Sequence, residues 1–160
     1  MELYYISSNP IVISLYCDTT SALYNKGKKK VLDCCMKLKP EMLEELKVFT
    51  ESSSSADDVA YVGEKFTAHL YGAKGDTSVE KLRYISYNKA IGKSQLSTSF
   101  KLESLPPTSA ALKQHLYRVY HAVQQAMSRT LPATNWGWMK KEILMPILTE
   151  IQVAHERLLK

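Results

Sequence analysis

The chain has 160 residues, of which 45% are hydrophobic and 23% are charged. This composition predicts one globular domain over residues 1–160, or a fragment of a larger protein, and excludes a chain that is disordered throughout. The formal net charge of +5 suits an anionic partner, and the excess is local, because residues 26–39 hold six lysines against a single acid, Asp33.

The first 16 residues contain two apolar runs, separated by a polar turn over residues 7–10. Each run has the length of a short strand or a short helix, and periodicity does not decide between the two. The segment lacks a basic start and carries Glu2, so we do not expect it to be a secretory signal. Asn9 and Pro10 interrupt its apolar residues, which excludes a membrane span.

The clearest functional pattern lies in residues 15–38. Asp18 follows an apolar run, a short polar turn comes next, and Gly27 opens a segment with helical periodicity. Val31, Cys35 and Leu38 fall on one face of this predicted helix. We therefore expect a helix whose apolar face packs on the core and whose start remains accessible.

Four lysines crowd the turn and the start of this helix: Lys26, Lys28, Lys29 and Lys30. Cations at the positive end of a helix dipole cost about 0.3 to 1 kcal/mol each, so we expect a compensating partner. Free backbone N–H groups beside lysines suit the phosphates of a nucleic acid, without a preference for any base. The alternative is purely structural, with the lysines as a solvated helix start and Asp18 as a turn acceptor.

This stretch resembles the helix-two-turn-helix of the flap endonuclease family, whose catalytic core is PIN-like. The matching positions are Cys17, Asp18, Leu23, Gly27 and Lys29. Tyr16, Thr19 and Lys26 depart from the family pattern, and Asn25 replaces a glycine while still tolerating left-handed backbone. The resemblance implies that Asp18 is a metal-coordinating carboxylate and that the lysine-rich turn, including Gly27, holds duplex DNA by its phosphates.

The carboxylates bear on whether the chain is an enzyme. A two-metal phosphodiesterase needs several carboxylates around its ions, and the resembling family supplies most of them upstream of the position of Asp18. Here the preceding 17 residues contain one acid, Glu2. We therefore predict no catalytic residues and no cofactor; Mg²⁺ or Mn²⁺ would be needed only under the alternative of a metal-dependent, structure-specific nuclease.

Other site chemistry is not indicated. The three cysteines, Cys17, Cys34 and Cys35, form no CxxC pair, so neither a disulfide framework nor a zinc site is specified. None of them has a nearby histidine in the sequence that would act as a base, which argues against a cysteine hydrolase.

Downstream of this stretch, the sequence predicts a helix from Pro40 and, after a serine linker at 52–55, a second helix capped by Ser55 with Asp58 and ended at Gly72. Thr77 and Glu80 form a predicted capping box for a further helix. The apolar stripes of these three helices are Met42, Leu43, Leu46 and Phe49; Val59, Val62, Phe66 and Leu70; and Val79, Leu82 and Ile85.

Residues 106–138 are predicted to form a capped helix followed by an aromatic turn. Thr108 is the expected cap, and the apolar stripe of the helix is Leu112, Leu116, Val119, Val123 and Met127. Tyr117, Arg118 and His121 flank that stripe and are interpreted as half-buried core. The turn 135–138, with sequence NWGW, is expected to cover one end of the core, with base stacking by its tryptophans as the alternative.

A second resemblance covers most of the chain. The segments CDTTSALYNKGKKKVL, GEKF, LYGA, LPPTSAALKQHLYRVY and NWGW are similar to a group of uncharacterised animal proteins associated with mobile elements. That resemblance implies a longer PIN-like chain upstream and a cysteine-rich segment downstream. A protein partner or a missing flanking domain is therefore expected.

The sequence thus predicts a mainly α protein, an irregular multi-helix domain with a short apolar strand or helix at its N-terminus. Its leading functional interpretation is a nonenzymatic fragment of a PIN-like, nuclease-related protein with weak, sequence-independent binding to duplex DNA. The alternatives are an intact metal-dependent nuclease and a helical protein-interaction module. An intracellular location is expected, with the nucleus as one compartment where the protein would meet DNA.

Overall fold

The computed structural model describes residues 23–75, 77–93, 101–140 and 144–146. These residues are mainly helical, as predicted, and the N-terminal strand or helix, Cys17 and Asp18 lie outside them. The helices are α1 (Lys28–Cys35), α2 (Pro40–Glu45), α3 (Ala56–Leu70), α4 (Val79–Lys93) and α5 (Ser109–Ala126). Short 3₁₀ helices span Leu46–Phe49, Leu102–Ser104 and Ala133–Asn135, and strands β1 (Trp138–Lys140) and β2 (Leu144–Pro146) follow.

The centre of the core is the packing of α3 against α5. The buried stripes of both helices match the predicted ones and consist of Val59, Val62, Phe66 and Leu70 on α3 and Leu112, Leu116, Val119 and Val123 on α5. Gly63 lies where the helices meet, since a Cβ added there would be 2.4 Å from Cδ2 of Leu116. Met127, predicted as part of the α5 stripe, is instead 38% exposed, because the helix has already ended at Ala126.

The basic helix α1 and the helix α2 cover α3. Val31 and Cys35 of α1 are buried and Leu38 packs partly against the same core, which confirms the predicted face. Pro40 begins α2, and Leu46 and Phe49 continue its buried stripe in a 3₁₀ turn. The serine run that follows is a tight connection, because Ser54 Oγ donates to Val48 O at 2.7 Å and Ser55 Oγ accepts from Asp58 N at 3.1 Å.

Helix α4 is capped differently from the prediction. Ser78, one residue after the expected Thr77, accepts the N–H of Lys81 at 3.3 Å. Glu80 does not close a capping box, because its Oε1 accepts the N–H of Ser109, at the start of α5, at 2.8 Å. Ile85 was predicted to be buried and is 47% exposed, so α4 packs by a narrower stripe than its sequence indicated.

A two-stranded antiparallel sheet ends the described chain. Trp138 pairs with Pro146, Met139 with Met145 and Lys140 with Leu144. The sequence predicted an aromatic turn over residues 135–138, which overlaps β1 at Trp138, but no strand pairing. Within the described residues, no helix is long and apolar enough to cross a lipid bilayer.

Candidate nucleic-acid interface

The basic turn, residues 23–30, leads into α1. Lys26 N donates to Leu23 O at 3.1 Å, which closes the turn, and Asn25 has a φ of 53°. This left-handed backbone is the conformation predicted for Asn25, since asparagine reaches it more readily than most other residues with a side chain. The turn therefore forms without the glycine that the resembling family has at this position.

Gly27 is the N-cap of α1 and leaves the start of the helix open. Its backbone is extended, with φ −65° and ψ 167°, a conformation that any residue adopts, and an added Cβ would meet nothing within 4 Å. Gly27 O accepts the first helical bonds, from Lys30 N and Val31 N. The N–H groups of Lys28 and Lys29 have no partner among the described residues, and no side chain caps them.

The side chains at this helix start are cationic and exposed. Lys28, Lys29 and Lys30 all face solvent, and the first turn of α1 contains no acid. The ion pairs formed among the described residues involve other lysines. Lys30 Nζ donates to Asn25 O at 2.8 Å, which holds its ammonium near the turn. Three ammonium groups and two open N–H groups therefore lie together, and none of the ion pairs in the described part of the chain neutralises these lysines.

Lys26, which the sequence predicted to contact phosphate, makes contacts within the protein. Its Nζ donates to Leu70 O at 3.1 Å and lies 4.3 Å from the centroid of the Tyr71 ring. A cation at the C-terminal end of a helix is favourable, so this contact ties the basic turn to the end of α3. Burial lowers the pKa of Lys26, and the neighbouring Lys30 lowers it further. Lys26 therefore contributes to the packing of the basic turn on α3.

The polar residues of α5 form core contacts, as the sequence predicted. Arg118 and His121 are buried, and His121 Nε2 lies 3.3 Å from Leu131 O. Arg118 Nη1 donates to Gly137 O at 3.4 Å, while its Nε has no partner among the described residues. Burial of this guanidinium lowers its pKa. The sequence did not indicate that Arg118 would be so deeply buried, and none of the ion pairs among the described residues involves it.

The aromatic turn covers the core rather than presenting rings to solvent. The Trp136 ring lies 4.2 Å from the Tyr120 ring, tilted by 36°, and 5.8 Å from the Tyr117 ring, edge-on. Gly137 follows with a φ of 79°, and a Cβ there would lie 2.9 Å from Gln114 O. The predicted covering role is therefore confirmed for Trp136.

The described residues contain no group of three or more His, Cys, Asp or Glu side chains that is arranged to hold a metal ion. Comparison of the chain with protein-family models, with curated proteins and with solved structures finds no match.

Proposed function

We propose that this protein binds duplex DNA weakly and without sequence preference, through phosphates that contact the helix start at Lys28, Lys29 and Lys30. One observation carries the proposal: three exposed lysines surround an uncapped helix N-terminus that has no acid in its first turn. A phosphate would accept hydrogen bonds from the open N–H groups and would also neutralise the ammonium groups. The proposed role is DNA binding without catalysis, in line with the resemblance of residues 15–38 to the DNA-binding segment of a nuclease family.

The number of contacts sets the expected affinity. Three lysines give about three phosphate contacts, which places the dissociation constant in the nonspecific range of about 10⁻⁴ to 10⁻⁶ M at physiological salt. Each contact contributes about −0.9 to the slope of log affinity against log salt concentration. Base identity has no effect, because phosphate contacts position a duplex without reading its sequence.

Fluorescence anisotropy with two duplexes of unrelated sequence, at several salt concentrations, tests the proposal. Changing Lys28→Gln and Lys29→Gln together should flatten the salt slope by about 1.8, for two lost contacts, and weaken binding to both duplexes equally. The matched control is Lys101→Gln with Lys140→Gln, two exposed lysines elsewhere that make the same change in net charge. Equal slopes for the two double variants, or no binding by the unmodified protein at low salt, would refute the proposal.

A helical interaction module is the second candidate function. It is favoured by α4, which presents Tyr84 with 68% and Ile85 with 47% of their surface exposed. Large apolar side chains that lie close together on a surface mark interaction sites. This candidate becomes the better account if the unmodified chain fails to bind DNA at low salt.

A further inference from the structure

A groove lies beside the basic turn, between α1 and the C-terminal end of α3. Its volume is about 370 Å³, within the range of sites that hold small ligands. Leu38 and Leu70 form apolar parts of its lining, and Lys30, Asp33, Lys37 and His69 supply its charged and polar groups. Because Lys30 belongs both to the groove and to the basic turn, the two features form one continuous surface.

The cations of the groove come from one stripe of α1 and the turn after it. Lys30, Asp33 and Lys37 are spaced by three and four residues and therefore point to the same side. This spacing favours ion pairs, yet Asp33 forms none with either lysine in the described structure. The bonds from Lys37 N to Cys34 O and from Leu38 N to Cys35 O, at 2.9 and 3.2 Å, continue the helical path that places Lys37 there.

The opposite wall of the groove is the end of α3. His69 Nδ1 lies 2.9 Å from Lys65 O, which fixes the imidazole ring on its own helix. Leu70 O is already bonded to Lys26 Nζ, so the carbonyl end of α3 carries a cation that reduces its repulsion of an anion. Apart from Asp33, the one carboxylate in the lining, both walls therefore present positive or neutral groups.

The thiol in the groove does not favour a different chemistry. Cys34 is half-buried, and burial raises its pKa even though Lys26 and Lys37 act to lower it. A thiol that stays protonated is a poor nucleophile and a poor metal ligand. The chemistry that remains is electrostatic, with two ammonium groups that bind phosphate as point charges.

We propose that this groove binds a phosphate group of the nucleic acid that contacts the basic turn, with Lys30 and Lys37 as its cations and Asp33 as a carboxylate that limits the affinity. This inference extends the proposed function, because it adds Lys37 to the phosphate contacts and assigns the path of the bound strand from the start of α1 along the α1–α3 groove. The same groove would accept free phosphate, which allows a test without DNA.

In the first arm, the isotope-labelled full chain is titrated with inorganic phosphate, and binding is measured from the amide chemical shifts in NMR spectra. We expect saturable shifts in residues 30–38 and 69–70. Asp33→Asn should tighten phosphate binding about two- to fivefold and Lys37→Gln should weaken it by a similar factor, the range expected for one exposed charge interaction. The matched controls, Glu103→Gln and Lys101→Gln, change the net charge equally on exposed residues outside the groove and should have no effect.

The second arm uses duplex DNA, where Lys37→Gln should flatten the salt slope by about 0.9. If phosphate saturates the groove but the unmodified protein binds no DNA, the proposed function fails, and the groove remains a binding site for free phosphate. If DNA binds through Lys28 and Lys29 while Lys37→Gln leaves the slope unchanged and phosphate shifts no groove amide, the groove proposal is overturned and the proposed function stands. The groove proposal would also be overturned if Asp33→Asn left the affinity for phosphate unchanged.

Discussion

His115 and Arg118 are two basic side chains that lie one turn apart on α5, and both are buried, with 3% and 6% of their surfaces exposed. Burial lowers the pKa of His115 to about 4, and the positive charge of Arg118 lowers it as well. The folded protein therefore holds His115 neutral at pH values where the unfolded chain would protonate it. This difference makes the stability of the fold depend on pH.

Acid should destabilise the protein through His115. Between pH 6.5 and pH 4 the unfolded chain binds a proton at this residue that the folded protein does not bind, so the free energy of unfolding should fall as the pH falls. The loss attributable to His115 is about 3 kcal/mol across this window, and it should be absent above pH 6.5. Urea denaturation at a series of pH values, for the unmodified protein and His115→Phe, measures it.

The His115→Phe variant should lose this part of the pH dependence, because it has no imidazole to protonate. Arg118→Met should retain a weaker dependence, since removing the charge of Arg118 raises the pKa of His115. Parallel pH profiles for the unmodified protein and His115→Phe would show that another group is responsible.

At the scale of elements, side chains at and just after the end of α5 donate hydrogen bonds to the backbone of residues 49–51, the segment that follows α2. Gln124 Nε2 donates to Phe49 O and Glu51 O at 2.9 and 3.1 Å, and Arg129 Nη1 donates to Thr50 O at 2.6 Å. Arg129 Nη1 also bonds to Gln124 Oε1 at 2.9 Å. These contacts satisfy consecutive backbone carbonyls where the 3₁₀ helix ends, which fixes the connection to α3.

Gln124→Leu should therefore destabilise the fold by about 2 to 4 kcal/mol, although leucine has a similar volume and a good helix propensity. The cost arises because the buried acceptor of Phe49 loses its side-chain donor and Arg129 loses an acceptor. The neighbouring Gln125 is exposed, and Gln125→Leu is the matched control, expected to change the free energy of unfolding by less than about 0.5 kcal/mol. Chemical denaturation compares them, and equal effects would exclude a specific role for Gln124.

The sequence predicted those elements whose signals are local. Pro40 begins α2 and Ser55 caps α3 as expected, because these signals act within one turn of the chain. The capping box at Thr77 and Glu80 was wrong for a tertiary reason. Glu80 bonds to Ser109 N, 29 residues away, and Glu64 Oε1 accepts the N–H of Val79, so carboxylates from other helices meet these helix starts. Pattern alone cannot indicate such partners.

The basic turn shows the same division between local and tertiary signals. Its lysines, its left-handed Asn25 and its open helix start follow from the order of residues 23–30. The bond of Lys26 to Leu70 O joins residues 44 positions apart and appears only when α3 packs on the turn. Lys37 and His69 likewise share a groove with Lys30 only in the folded protein. The sequence therefore predicted the basic turn but not the groove that lies beside it.

At the scale of the whole molecule, the close approach of α3 and α5 determines where the other helices can pack. α1 and the 3₁₀ helix Leu46–Phe49 contact α3, and α4 contacts it as well. The approach depends on Gly63, because the Leu116 side chain fills the space that a Cβ would occupy. Leu116 is itself 1% exposed and has little room to move. Glycine has a low helix propensity, but at this mid-helix position it is favoured because a larger residue would clash with Leu116.

Gly63→Ala should consequently destabilise the protein by about 1 to 3 kcal/mol through overpacking, despite the better helix propensity of alanine. Gly92→Ala is the matched control, since Gly92 lies in α4 where an added Cβ meets nothing within 4 Å, and it should raise the free energy of unfolding by about 0.5 to 1 kcal/mol.

Combining Gly63→Ala with Leu116→Val should cost less than the sum of the two single changes, because the shorter side chain makes room for the new methyl group. Chemical denaturation of the unmodified protein, the two single variants and the double variant measures this coupling. Stabilisation by Gly63→Ala, or strict additivity with Leu116→Val, would show that the two helices are not held tightly together at this point and that their packing can relax.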